Sequence, residues 1–247
     1  MGFWSSLKSM AASVGNAIVK GVVKAVDCTL QVCEVVATVT SDACHWARGK
    51  IRKWSTPQVP SDPVPPTVIR VDKPLVDSSI RTVKECFPVG IVETVVNSNP
   101  EDRKKKIEEL IPKAAQAMGI KNTPTLDFFV PDRIEQMNSL CGGYRLSGNT
   151  LRLNLAMIVS KEPELFLEQV STVFHELMHV RQYEAVSALA DGKPYEEYGY
   201  SLDYLQVLAD NMLNYITADE NYEAYTKQPI EAEAYWFEEQ IKPSFKY

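Results

Sequence analysis

The chain has 247 residues, of which 45% are apolar and 23% are charged, and its formal net charge is −6. A chain of this length and apolar content can bury a sizeable core, which excludes wholesale disorder. Because 32 acidic residues outnumber 26 basic ones, the chain as a whole does not attract nucleic-acid phosphates, and we expect no nucleic-acid partner.

The first 54 residues differ in charge from the rest of the chain. They contain seven basic and three acidic side chains, a net charge of +4, so residues 55–247 carry −10. Apolar residues recur at helical spacing from Phe3 to Val26, which predicts an amphipathic helix. Such a helix either packs on the rest of the protein or docks on a membrane surface or a larger assembly, and these alternatives stay open.

No segment has the pattern of a signal peptide or of a transmembrane span. Lys20 and Lys24 interrupt the N-terminal apolar run, no cleavage site follows it, and no uncharged stretch reaches about 18 residues. We therefore expect a protein that is cytoplasmic or exported by a non-classical route. The five cysteines are odd in number and widely spaced, which favours reduced thiols.

A proline-rich segment separates the basic region from the rest. Six prolines fall between Ser55 and Pro74, and repeated proline removes backbone donors and fixes φ, which is typical of an extended linker. We therefore predict a basic amphipathic helical region at residues 1–54, a linker at 55–75 and a C-terminal domain at 76–247.

The C-terminal domain contains patterns of both helix and strand. Asn99, Pro100 and an acidic first turn predict a helix that ends at Gly119, on which the charged run at 103–106 is expected to be a solvated face. Strands are predicted at 125–130, 144–146 and 150–155, the last two forming a hairpin. Further helices are predicted at 163–190, at 201–216 and from 229 to before Pro243. The predicted fold class is therefore α+β, rich in helix, with a small sheet.

The longest predicted helix contains His175-Glu176-Leu177-Met178-His179, which is the H-E-x-x-H pattern and uses two of the three histidines in the chain. Four residues advance a helix by just over one turn, so both imidazoles project from one face. Two nitrogens placed in this way can bind one Zn²⁺, with Glu176 beside the open coordination position. The alternative is a helix with two incidental histidines, but burying both without a metal would be costly.

This motif, together with a strand before the helix, resembles the zincin superfamily of zinc metallopeptidases over residues 120–240. The metzincin branch does not fit, because Ala185 stands where its third histidine would be. Residues 229–235, PIEAEAY, are instead similar to the downstream E-x-E-A segment of gluzincins. The resemblance implies that one glutamate of this segment completes a zinc site with the two histidines. Glu231 and Glu233 lie about 200° apart on a helix, so only one can face the metal, and we prefer Glu233.

The resemblance implies zinc-dependent hydrolysis of peptide bonds by an endopeptidase, with Glu176 as general base, Zn²⁺ as cofactor, and a peptide or protein as substrate. It also implies that the strand from Thr150 to Leu155 is an edge strand that pairs with extended substrate. Cys141 is expected to be a packed thiol rather than a metal ligand. Several tyrosines are candidates for stabilising an oxyanion, and the sequence does not choose among Tyr183, Tyr198, Tyr200, Tyr222, Tyr225 and Tyr235.

Two other functions remain open. One is a catalytically silent zinc-binding protein with a structural role or a role as injected cargo. The other is a membrane-acting protein in which residues 1–54 carry the activity.

Overall fold

The computed structural model of the protein describes residues 72–131, 141–146, 148–218 and 220–246. The predicted amphipathic region at 1–54 and residues 55–71 of the predicted linker lie outside the described residues. The three-part organisation and the role of residues 1–54 therefore stay predictions. Within the described residues, no helix combines the length and the apolar character needed to cross a membrane.

The described residues form helices and one small sheet of three strands, which confirms the predicted α+β class. Two short 3₁₀ segments, Glu196–Tyr198 and Lys242–Lys246, follow longer helices. The strands are β1 (Thr125–Phe129), β2 (Gly142–Arg145) and β3 (Thr150–Asn154). The α-helices are α1 (Lys73–Cys86), α2 (Ile91–Asn97), α3 (Pro100–Ala117), α4 (Leu155–Val159), α5 (Pro163–Ala190), α6 (Leu202–Leu213), α7 (Tyr222–Lys227) and α8 (Pro229–Ile241).

The chain divides into two compact units. Among the described residues, one unit comprises 72–145, 149–184 and 217–246, and the other comprises 146, 148 and 185–216. The second unit contains α6, whose Leu205 and Leu208 are fully buried. Every residue of the site described below belongs to the first unit.

The sheet has the order β1-β3-β2, with β1 parallel and β2 antiparallel to β3. The antiparallel pair, in which Arg145 lies opposite Thr150, confirms the predicted hairpin. The prediction that Thr150 to Leu155 is an edge strand is wrong, because β3 is hydrogen bonded on both sides and Leu155 already begins α4. The parallel partner β1 comes from a distant part of the chain, and local alternation carries no information about such a partner.

Helix α3 begins and ends close to the predicted residues. The Asn99 side chain accepts a hydrogen bond from the Asp102 amide, and Pro100 occupies the first turn, where its missing N–H costs nothing. Gly119 follows the helix with φ +70°, a conformation that glycine adopts without strain. The prediction of a solvated face is wrong at Arg103, whose side chain is only 1% exposed. Its guanidinium can be buried because it donates hydrogen bonds to backbone carbonyls of neighbouring segments.

Most of helix α5, residues 163–184, belongs to the first unit. Residues 169–182 are buried on every face of the helix, as expected of a helix surrounded by other elements. Its apolar side chains join those of α3 and α8 in one core. The buried run also contains polar residues, and a buried polar group needs a hydrogen-bond partner or an ion. These partners form the candidate site.

Candidate metal centre

Helices α5 and α8 bring three potential metal ligands together. The Nε2 atoms of His175 and His179, one turn apart on α5, lie 3.2 Å from each other. The carboxylate of Glu231, in the first turn of α8, lies 3.4 Å from each of these nitrogens through a different oxygen. The three residues are 6%, 8% and 1% exposed. In the part of the chain that the structure describes, this is the group that could hold a metal ion.

The geometry corrects the preference for Glu233 as the third ligand. Glu231, and not Glu233, lies beside the two imidazoles, while the Glu233 carboxylate accepts a hydrogen bond from the Gln182 amide at 2.8 Å. The two glutamates point to different sides of α8, as their spacing requires. The rotation of α8 about its own axis determines which side faces α5. That rotation is fixed by the apolar side chains of α8 that are buried in the interior: Ile230, Ala234, Phe237 and Ile241.

Each imidazole is also held at its second nitrogen. The Nδ1 atom of His175 lies 3.0 Å from an oxygen of Glu238, and that of His179 lies 3.0 Å from the Gln182 Oε1 atom. An ionised carboxylate and an amide oxygen can only accept, so both Nδ1 atoms carry a proton and donate it. In neutral rings, both Nε2 lone pairs then point toward the centre of the cluster.

The Glu238 carboxylate is itself fixed by further contacts. It accepts hydrogen bonds from the Ser171 hydroxyl at 2.7 Å and forms an ion pair with the Lys242 ammonium at 2.9 Å. The Gln182 amide is fixed in turn by donating to Glu233 and to the carbonyl of Ile230. The orientation of both imidazoles is therefore determined by residues that do not belong to the ligand group.

Sequence reasoning missed Glu238 and Gln182, although spacing contains a weak signal for both. Glu238 follows Glu231 by seven residues, or about two helical turns, so the two share one face of α8. Gln182 follows His179 by three residues on α5, which also places them on one face. Neither spacing identifies a partner by itself, because glutamate and glutamine are common in helices.

The charges of the site favour a cation at its centre. Burial by itself lowers the pKa of His175, but hydrogen bonds to Glu231 and Glu238 outweigh it and raise this pKa to about 10. Burial also lowers the pKa of His179, and the interaction with Glu231 more than compensates. Burial raises the pKa of Glu238, but its bonds to His175, Lys242 and Ser171 bring that pKa down to about 2. The carboxylates therefore stabilise positive charge between the two rings.

Glu176 lies beside the cluster without belonging to it. It follows His175 directly on α5 and is 9% exposed. Its negative charge contributes to raising the pKa values of both histidines and of Tyr183. Its carboxylate is therefore electrostatically close to the ligand group, although it is not one of the three ligand residues.

Among the six tyrosines considered from the sequence, three lie near the ligand group. The ring of Tyr235 contacts that of His175, with centroids 4.6 Å apart. Burial raises the pKa of Tyr225, and the charge of Glu231 adds to this. Burial raises the pKa of Tyr183 to about 12, and the charges of Glu231 and Glu176 add to this. Tyr198 and Tyr200 belong to the other unit.

Cys141 does not take part in the ligand group. Its thiol is hydrogen bonded to Thr172, and burial raises its pKa. This environment agrees with the expected packed thiol, because a raised pKa keeps the group protonated and a poor metal ligand at neutral pH.

Comparisons of the chain with protein-family models, curated proteins and solved structures found no match. Function must therefore be inferred from the residues of the site and their chemistry.

Proposed function

We propose that the chain is a zinc metallopeptidase of the gluzincin type, an endopeptidase that cleaves peptide or protein substrates. His175, His179 and Glu231 would hold the Zn²⁺, and Glu176 would act as the general base. The proposal rests on one observation. The Nε2 atoms of His175 and His179 lie 3.2 Å apart, and each lies 3.4 Å from a different oxygen of Glu231.

The donor set fits a metal ion. Because each Nδ1 donates outward, both Nε2 atoms and the Glu231 carboxylate face one point, where a metal ion would take the place of the protons that the raised pKa values give the rings. In a tetrahedral zinc site with bonds of about 2.0 to 2.1 Å, ligand atoms lie about 3.3 Å apart. The separations of 3.2 and 3.4 Å agree with this spacing.

The number of ligands supports a catalytic rather than a purely structural centre. Structural zinc sites use four protein ligands, whereas catalytic sites use three and leave one position for water. Among the described residues, the group contains two histidines and one glutamate. Two histidines and one glutamate are also the protein ligands of the catalytic zinc in some peptidases.

Zinc bound at this site would polarise a carbonyl and lower the pKa of water in the open position. Glu176 would accept a proton from the attacking water and deliver it to the nitrogen of the departing amine. Glu238 and Gln182 would keep both imidazoles in the tautomer that leaves Nε2 available for the metal. The ion pair with Lys242 would keep Glu238 ionised for this purpose.

A second candidate is a zinc-binding protein without turnover. The observation in its favour is burial, because no residue of the ligand group, nor Glu176, is more than 9% exposed. A centre this enclosed limits the access of a peptide backbone. A membrane-acting role for residues 1–54 lies outside the described residues and stays a prediction.

The test combines metal analysis with a cleavage assay on a peptide library. We expect about one zinc per chain in the purified protein and its loss in His175→Ala. We expect Glu176→Gln to retain zinc and to lose cleavage. Zinc binding without cleavage of any peptide would favour the second candidate, and cleavage by Glu176→Gln would eliminate Glu176 as the base.

A further inference from the structure

The Gln182 side chain contacts both of the helices that supply the metal ligands. It is 0% exposed and follows His179 by three residues on α5. Its Oε1 atom lies 3.0 Å from the Nδ1 atom of His179. Its Nε2 atom donates to the carbonyl of Ile230 at 3.0 Å and to the carboxylate of Glu233 at 2.8 Å. Because an amide has two N–H hydrogens, both bonds to α8 can form at once while the oxygen serves α5.

The direction of this amide is set by α8. A backbone carbonyl can only accept a hydrogen bond, so the side of Gln182 that faces Ile230 must be its NH₂ group. The oxygen is then left for His179, whose Nδ1 atom has to carry a proton, and in the neutral ring Nε2 is left for a metal. The start of α8 therefore selects the tautomer of a histidine on another helix.

The two acceptors on α8 stand on either side of the glutamate ligand. Ile230 directly precedes Glu231, and Glu233 follows it by two residues. Both bonds lie inside the protein, because Ile230 is 1% and Glu233 is 7% exposed, and a hydrogen bond is electrostatically stronger there than in water. A hold on the backbone before Glu231 and on the side chain after it leaves that residue little freedom to turn away from the imidazoles.

We propose that Gln182 is a positioning residue for two metal ligands at once. Its oxygen orients His179, as the proposed function already requires, and its two N–H groups in addition hold the start of α8 so that Glu231 faces the imidazoles. Gln182 acts on Glu231 through the neighbours of that residue and is not itself a ligand. The inference rests on the metal site of the proposed function, but not on peptide hydrolysis.

The test measures metal binding by the full chain, with Zn²⁺ alone as the probe and a chromophoric chelator as competitor. We expect Gln182→Met to bind Zn²⁺ about 100-fold more weakly than the wild type, because an outer partner is worth about 10- to 100-fold and this one supports two ligands. The matched control is Gln169→Met on the same helix. Gln169 is also 0% exposed, and its amide contacts Asn154, Cys141 and Met157, none of which is a ligand. This control should bind Zn²⁺ like the wild type.

Exchanging the two side chains isolates the bond to α8. Gln182→Glu keeps an oxygen for His179 but places a second carboxylate against Glu233, so Zn²⁺ binding should weaken by about 10-fold or more. Adding Glu233→Gln to this variant restores one donor and one acceptor with their direction reversed. We expect this double variant to bind Zn²⁺ about 10-fold more tightly than Gln182→Glu alone, a gain that a mere loss of packing would not give. If Gln182→Met does not fold, the exchanged pair decides by itself.

Wild-type affinity in Gln182→Met would overturn the inference. A double variant that binds no better than Gln182→Glu would also overturn it, because the amide would then act on His179 alone. An equal loss of affinity in Gln169→Met would do the same, since it would assign the effect to packing of α5. Failure of the proposed hydrolase is a separate result, since it would appear as absent cleavage by a protein that still binds zinc.

Discussion

The imidazoles of His175 and His179 derive their orientation from residues that sequence motifs do not include. Their Nδ1 atoms donate to Glu238 and Gln182, which leaves both Nε2 atoms directed at Glu231. At the scale of single residues, the site is therefore a set of hydrogen bonds that select a tautomer and a ring orientation.

The identity of the third ligand can be tested with a pair of glutamates on one helix. We predict that Glu231→Gln lowers Zn²⁺ affinity by more than about 100-fold, because losing a ligand exceeds the 10- to 100-fold effect typical of an outer contact. Glu233→Gln should lower Zn²⁺ affinity by no more than about 10- to 100-fold, because Glu233 contacts the site only through Gln182. Competition with a chelator measures both affinities. If Glu233→Gln weakened Zn²⁺ binding more than Glu231→Gln did, Glu233 would be the third ligand instead.

The buried guanidinium of Arg103 gives a prediction about stability. It donates to the carbonyls of Ser98, Ile158 and Val159 at 2.6, 3.1 and 2.5 Å. Arg103→Met should lower the free energy of unfolding by at least about 3 kcal/mol, because each buried carbonyl left without a donor costs about 1 to 3 kcal/mol. Urea denaturation measures this, with the exposed Lys105→Met as control. A loss no larger than that of the control would contradict the structural role of Arg103.

At the scale of elements, helix α5 both fills the core and presents the histidines. Its residues 169–182 are buried on all sides, so the helix cannot rotate to relieve a poor contact at the site. Strand β2 packs close to it, because a Cβ atom added at Gly142 would lie 3.3 Å from the Thr172 side chain and would overlap the carbonyl oxygen of Arg152. Tight packing of this kind makes small changes in volume costly.

The hairpin offers two adjacent glycines for testing this packing. Gly142→Ala should lower the free energy of unfolding by about 1 to 3 kcal/mol, because the strand must shift to accept the methyl group. Gly143→Ala is the matched control, since a Cβ there meets nothing within 4 Å. Thermal unfolding of the two variants measures the difference, and equal unfolding temperatures would show that β2 and β3 can separate without cost.

At the scale of the whole molecule, the metal would link parts of the chain that are far apart in sequence. His175 and Glu231 belong to different helices, α5 and α8. A ligand that binds only the folded state stabilises that state in proportion to the logarithm of its concentration. Metal binding and folding of the first unit should therefore be coupled.

Removal of the metal tests this coupling. We predict that zinc at about 1,000 times its dissociation constant adds about 4 kcal/mol to the free energy of unfolding. For a chain of this size that corresponds to a rise of roughly 8 to 16 °C in the unfolding temperature. A chelator should abolish the rise, and added zinc should restore it. Scanning calorimetry measures both changes. The rise should persist in Glu176→Gln and be absent in His175→Ala, and a zinc-dependent rise in His175→Ala would place the metal elsewhere.

The sequence by itself determined most local features of the described fold. Capping and periodicity predicted α3 and α5, and alternation with a turn predicted the hairpin of β2 and β3. The spacing of His175 and His179 was sufficient to place both rings on one face, because the pitch of a helix is set by local backbone geometry. The bounds of α1, α2, α4 and α7 were not predicted, since their patterns are short or lack a clear stop signal.

Only the tertiary structure decided which side of each element meets the site. Helical spacing showed that Glu231 and Glu233 face different sides of α8, but the choice of Glu231 depends on how α8 packs against the core. The interior position of β3 depends on its pairing with β1, and the roles of Glu238 and Gln182 depend on contacts between separate helices. The physical reason is the same in each case: local sequence determines periodicity, whereas rotation and pairing result from burial summed over distant segments.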